Sequence, residues 1–215
     1  MLSDNAHLSD LTALDHPLQM LELTMRRNPS LTSLAGLGQI SGLQNLMFVQ
    51  NGLTSLAPLA PTELNDLWLA EHNLAGLGAL KDLTTVTHDL ILGGSSPTTF
   101  EDLKNLERVE NELVIVGEQT GLDGLTGLTV ARHLRVEGSA LTSLEGPQLR
   151  NMLSITVAGN EDLAKITMLE GVGTVYGDVT ISGNPSLGDE AAGALVDTIG
   201  EDNIGGTVTI GDNGP

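Results

Sequence analysis

The chain has no cysteine, which excludes a disulfide framework and a thiolate metal site. Aromatic side chains are almost missing. Phe48, Phe100, Trp68 and Tyr176 make up the whole 2 % of the composition. A core built without aromatics must be assembled from aliphatic layers, which suits a stack of similar turns better than one globule. Bases are scarce as well: nine Lys and Arg stand against 28 Asp and Glu, a formal net charge of −19. That balance argues against nucleic-acid binding, which needs a basic surface, and against an anionic membrane surface. Its plain reading is an acidic, soluble exterior, with attraction of cations or basic partners as the alternative. No apolar run reaches the roughly 18 residues of a membrane span. The opening "MLSDNAHLSD" has neither the basic start nor the apolar middle of a signal peptide.

What the chain does have is repetition. "GDVTISGNPSL" (177–187) aligns without a gap on "LELTMRRNPSL" (21–31). The position three residues after the second strand aliphatic is Asn5, Asn28, Asn51, His72, Ser95, Glu118, Ser139, Asn160, Asn184 and Asn213. The spacings are 23, 23, 21, 23, 23, 21, 21, 24 and 29 residues. Ahead of each full copy stands an alternating aliphatic pair, from Leu23 and Met25 to Val208 and Ile210. Behind most copies come leucines at about every third position, as in "LTSLAGLGQI".

A short alternating strand buries one face, and a single turn of this length cannot cover that face alone. Stacked neighbours can. The pattern therefore predicts a repeat solenoid: a parallel sheet of about nine short strands, roughly 40 Å long at one strand every ~4.8 Å. Loops or short helices form its back face. A polar residue at a fixed turn position predicts a side-chain ladder through the stack, carried by Asn28, Asn51, His72, Asn160, Asn184 and Asn213. One domain is expected: a partial repeat over 1–20, full repeats over 21–187, and a cap over 188–215. Within that cap, "DEAAGALVDTIG" reads as a helix with acids at its start and Gly200 after its end. The first residues match the back half of a repeat, so an upstream part is expected to have been removed.

The segment "LMFVQNGLTSL" (46–56) resembles a leucine-rich repeat of the LxLxxNxL type. The 21–24 residue spacing, with "GNPSL", "GDVTI" and "GGTVTI", looks closer to the receptor L domain, and is especially similar to bacterial surface proteins carrying that repeat. The resemblance covers essentially the whole chain. It implies a right-handed coil, an extracellular or cell-surface location as a processed fragment, and a binding or scaffolding role without catalysis. The absence of cysteine departs from the animal L domains, which carry disulfides, and leaves a cytoplasmic location open.

The outward columns of the expected sheet can be read off the alignment. Between the two inward aliphatics lie Thr24, Met47, Trp68, Ile91, Val114, Arg135, Thr156, Thr180 and Thr209. The next column is Arg26, Val49, Ala70, Gly93, Val116, Glu137, Ala158, Ser182 and Gly211. Four consecutive rungs thus carry Met47, Trp68, Ile91 and Val114, flanked by Val49 and Val116 and rimmed by Arg26, Arg135 and Glu137. Soluble monomers rarely leave such a strip bare. It predicts a binding face for a protein or glycan, or a self-interface between two copies. A third column brings Asp66, Asp89 and Glu112 onto adjacent rungs. This set admits a carboxylate-dependent glycan enzyme as a further alternative, but its simpler reading is a solvated acidic edge. No GxSxG, P-loop, HExxH or EF-hand spacing occurs, and no cofactor or metal is expected.

Overall fold

In a computed structural model, the chain is a parallel β-solenoid with an α-helix near its end. The structure describes residues 1–71, 73–94, 100–146 and 149–214, all but the side chain of Asp123. The principal sheet runs in chain order, each strand hydrogen-bonded to the next. It comprises β1 (Leu2–Ser3), β2 (Glu22–Arg26), β3 (Asn45–Val49), β4 (Asp66–Glu71), β5 (Leu90–Gly94), β6 (Arg108–Gly117), β7 (Val130–Ser139), β8 (Ser154–Ala158), β9 (Val179–Ser182) and β10 (Val208–Gly211). The tenth rung, beyond the nine expected, comes from the partial repeat at the N-terminus.

The register follows the alternation of the sequence. Leu23, Leu46, Leu67 and Leu90 pair in line across β2 to β5, and Leu134, Ile155, Val179 and Val208 continue the same line across β7 to β10. With second aliphatics such as Phe48, Leu92 and Ile115, they fill one continuous buried cluster, except for Val208 on the last rung, which is exposed. After β4 and β5 the spacing of buried residues changes from two to three. Leu74, Leu77, Leu80 and Leu83 are all buried, as are Phe100, Leu103, Leu106 and Val109. Three-residue spacing is the period of a 3₁₀ turn. The backbone closes accordingly: Leu80 N–H donates to Leu77 at 2.6 Å and Leu103 N–H to Phe100 at 2.8 Å. Short 3₁₀ helices over Gly78–Leu80, Glu101–Leu103 and Thr167–Leu169 are the visible result.

The back face also carries strands that the sequence pattern did not reveal. Two-residue strands pair in parallel at Leu18–Gln19 with Ile40–Ser41, and at Asn151–Met152 with Thr174–Val175. Glu63–Leu64 pairs with Thr85–Val86, which pairs with the first residues of β6. The long strands β6 and β7, ten residues each, belong to both ladders and bend between them, with a register irregularity between Val109 and Glu112.

Helix α1 (Asp189–Ile199) forms where expected, with Asp189 and Glu190 in its first turn and Gly200 at φ 85° closing its end. Ala192, Leu195, Val196 and Ile199 face the core, so the helix seals the last coils.

The polar ladder exists in two runs. Asn28 Nδ2 donates to Asn51 Oδ1 at 2.8 Å, and Asn51 Nδ2 donates to Glu71 Oε1 at 2.8 Å. Further along, Asn160 donates to Asn184 and Asn184 to Asn213, both at 2.9 Å. Asn213 then donates to Asp189 Oδ1 at 2.9 Å. Each amide nitrogen also reaches a strand carbonyl of the previous coil, as Asn184 does to Val157 at 2.9 Å. An interior asparagine can thus spend both N–H donors and both oxygen lone pairs inside the stack. Both runs end on a carboxyl group, whose oxygens accept the last hydrogen bonds of the ladder.

His72 and Ser95 lie outside the described residues. In the coil of β4 the inward alternation continues to Glu71, which is fully buried and takes hydrogen bonds from Asn51. After β6 Glu118 is exposed, and its neighbour Gln119 is buried, donating to the Gly94 carbonyl at 3.2 Å.

Candidate functional site

The outward column predicted from the alignment is the one the backbone builds. Thr24, Met47, Trp68 and Ile91 are paired rung to rung. Ile91 pairs with Val114, Val114 with Arg135, and the column continues through Thr156, Thr180 and Thr209. Adjacent parallel strands hold these side chains about 4.8 Å apart.

The strip is not uniformly open. Met47, Trp68 and Ile91 are half-buried, but Val114 is 4 % exposed and offers almost no surface, although its register points outward. In the flanking column Val49 and Val116 are half-buried. A Cβ added at Gly93 would stand 3.0 Å from the Val116 side chain, so Val116 leans over the glycine and fills that rung. The accessible apolar floor is therefore the N-terminal part of the predicted strip. It forms a shallow groove of ≈ 360 Å³ over Thr24, Met47, Trp68 and Ile91.

Polar groups border the floor on both sides. Arg26 comes from the flanking column, and its guanidinium lies 5.6 Å from the centre of the Trp68 ring while its Nε approaches Met47 Sδ at 3.1 Å. A guanidinium over an indole face is an attractive cation–π arrangement. It also means that one face of the only tryptophan is already occupied. On the opposite side stand Glu22, Asp66 and Asp89, one per rung or two rungs apart, with Asn45 between the first two. Thr24 donates its hydroxyl to Glu22 at 2.7 Å, and the backbone N–H of Asp89 donates to Asp66 at 3.2 Å. Asp89 in turn accepts from Asn111 at 2.7 Å. Among the described residues no ion pair neutralises these three carboxylates.

The rim further along behaves differently. Arg135 forms an ion pair with Glu112 one rung back, at 3.1 Å. Glu112 thus belongs to Arg135 rather than to an acidic set with Asp66 and Asp89. Glu137, one column over from Arg135, is half-buried and makes no ion pair among the described residues. His133, which follows Glu112 in its column, shares a hydrogen bond with Ser154 at 2.7 Å. Among the described residues no three His, Asp or Glu side chains come together as a metal ion would require. No described helix is long and apolar enough to cross a membrane.

The displaced titrations lie away from the groove. The Arg27 guanidinium hydrogen-bonds the Asp4 carboxyl at 2.6 Å and holds it below the usual carboxylate range. Hydrogen bonds from Thr12 do the same to Asp10. Both sit at the exposed N-terminal end, so they mark turn geometry and not a reacting centre.

No protein-family model, no curated protein and no solved structure matches this chain.

Proposed function

We propose that this chain is a non-catalytic interaction module, a leucine-rich-repeat or L-domain-like solenoid whose principal sheet holds a protein or glycan partner. The observation that carries this reading is the in-register column of Met47, Trp68 and Ile91, left open on adjacent rungs of a rigid sheet. Exposed apolar columns of this kind are uncommon on soluble monomers without a partner. Arg26 favours a protein over a glycan, because it sits on the ring face where a sugar would stack. A place at the cell surface accords with the same reading and belongs to it as a proposal.

Against the carboxylate-enzyme alternative, the binding reading draws support from the pairing of Glu112 with Arg135, which leaves it out of a set with Asp66 and Asp89.

Two measurements test the proposal. Binders selected against the wild-type chain from a displayed polypeptide library should lose affinity for Trp68→Ala, whose thermal midpoint should fall by no more than a few degrees. Binders that tolerate the substitution would place the binding face elsewhere. Light scattering from micromolar to millimolar protein addresses the self-interface reading. A dimer that Trp68→Ser converts to monomer would show that the strip is used by a second copy.

A further inference from the structure

We infer that the groove over Met47, Trp68 and Ile91 receives a basic amphipathic helix from a partner polypeptide. The inference rests on the sheet-face reading above and names the chemistry of the occupant.

Two columns of unlike character run side by side along the solenoid. Residues two apart on a strand point to the same face, about 6.7 Å from each other. Glu22 and Thr24, Asn45 and Met47, Asp66 and Trp68, and Asp89 and Ile91 are such pairs. The groove therefore has an apolar lane and, parallel to it, a lane of carboxylates. Glu22, Asp66 and Asp89 lack a cationic partner among the described residues, in a chain of net charge −19. Arg26, the nearest base of the groove, is held by the Trp68 ring and the Met47 sulfur. An occupant that brings positive charge to one lane and apolar groups to the other satisfies both.

An extended strand presents alternate side chains to opposite sides, so it offers one row to a surface. It would serve one lane and leave the other unmet. A helix presents neighbouring stripes, since residues three and four apart stack on one face and the adjoining stripe is turned about its axis. Laid along the solenoid axis, it can set leucine-like residues on Met47, Trp68 and Ile91 while lysines or arginines follow Glu22, Asp66 and Asp89. The carboxylate lane spans three rung steps, ~14 Å, which corresponds to about ten helical residues at ~1.5 Å each. Its steps of ~4.8 Å lie close to the ~5.4 Å helical pitch over that length.

The chain carries its own reporter, because Trp68 is its only tryptophan. The probe is an 18-residue synthetic peptide with a leucine stripe beside a lysine stripe, without tryptophan. Titration should change the Trp68 emission saturably, with an affinity that falls as salt rises. Asp66→Asn with Asp89→Asn should weaken binding about five- to tenfold, the sum of two charge pairs at half-buried carboxylates. Asparagine keeps the Oδ1 acceptor for the neighbouring backbone N–H, so the sheet is retained; Glu22→Gln, at an exposed position, gives an independent check of the same lane. A scrambled peptide of equal composition should bind far more weakly. Equal binding by the scrambled peptide would reduce the effect to general attraction between opposite charges and overturn the proposal. Unchanged affinity in the carboxylate variants would overturn it as well. If a charge-reversed or uncharged amphipathic helix moves Trp68 and the basic one does not, the sheet face is still a binding face but this occupant is wrong. Silence of Trp68 with the basic peptide overturns the inference, whatever the library selection finds.

Discussion

Asn51 donates its side-chain nitrogen to Glu71 at 2.8 Å and its backbone N–H to the same carboxyl at 3.0 Å, in a site sealed from solvent. Glu71 ends the first ladder as Asp189 ends the second. Removing it strands two buried donors at once, and each buried group without a partner costs about 1–3 kcal/mol. Glu71→Ala is therefore expected to destabilise the N-terminal coils by about 3 kcal/mol. Glu71→Gln, whose carbonyl can accept both bonds, should cost less. Because coils couple mainly to their neighbours, the loss should be local. Hydrogen exchange is the suitable measurement: amides around Asn28 and Asn51 should lose protection before those around Asn160 and Asn184. Uniform loss along the chain would show that the solenoid unfolds as one unit.

The turn before the ladder stores strain that substitution can release. Gln50 has φ 54° and Arg27 has φ 50°, in the left-handed region that side chains with a Cβ avoid. The equivalent position is Gly159 ahead of Asn160 and Gly183 ahead of Asn184, where no such penalty exists. Gln50 makes no side-chain hydrogen bond in the described structure, whereas Arg27 holds Asp4. Gln50→Gly is thus expected to stabilise the chain by about 0.5–1 kcal/mol, even after the extra freedom it gives the unfolded state. Chemical denaturation midpoints of the two proteins decide this, and a lower midpoint for the glycine variant would refute it.

Much of this was legible in the amino-acid order. The outward column was, because a strand with two inward aliphatics leaves no choice of face, and a one-residue slip would have exposed Leu46, Leu67 and Leu90 together. The leucine spacing of three was legible as a pattern, though not as 3₁₀ turns. At the fourth rung the fixed offset pointed to His72, which lies outside the described residues. What the offset did not reveal is the part played by Glu71, which reaches Asn51 from the strand itself because the alternation of β4 runs on to residue 71. The two-residue strands of the back face left no signal, since two residues carry no periodicity. The burial of Val114 was equally hidden, because it depends on neighbours and not on its own alternation.

The contact between Arg26 and Trp68 predicts a spectroscopic change. With the guanidinium gone, the indole face is open to solvent. Arg26→Ala should raise the collisional quenching of Trp68 by acrylamide. An exposed cation–π contact contributes about 0.5–1 kcal/mol, which corresponds to a fall of ~1–4 °C in the thermal midpoint of a chain this size. Unchanged quenching would mean that the guanidinium does not rest on the ring in solution.

Two glycines with opposite surroundings close the set. Gly124 lies in the 3₁₀ turn after Leu122, and a Cβ there would stand 1.4 Å from the Phe100 carbonyl oxygen of the coil before. Neither atom is the end of a flexible side chain, so the two coils would have to part. Gly193 lies inside α1, and a Cβ there meets nothing within 4 Å. Alanine in a helix interior is about 1 kcal/mol better than glycine. Gly193→Ala should therefore stabilise by about 0.5–1 kcal/mol, while Gly124→Ala should destabilise by several times as much, about 3 kcal/mol or more. Thermal unfolding followed by circular dichroism separates the cases. A Gly124→Ala protein with an unchanged midpoint would contradict the close stacking of coils on which the ladder, the core and the open column all depend.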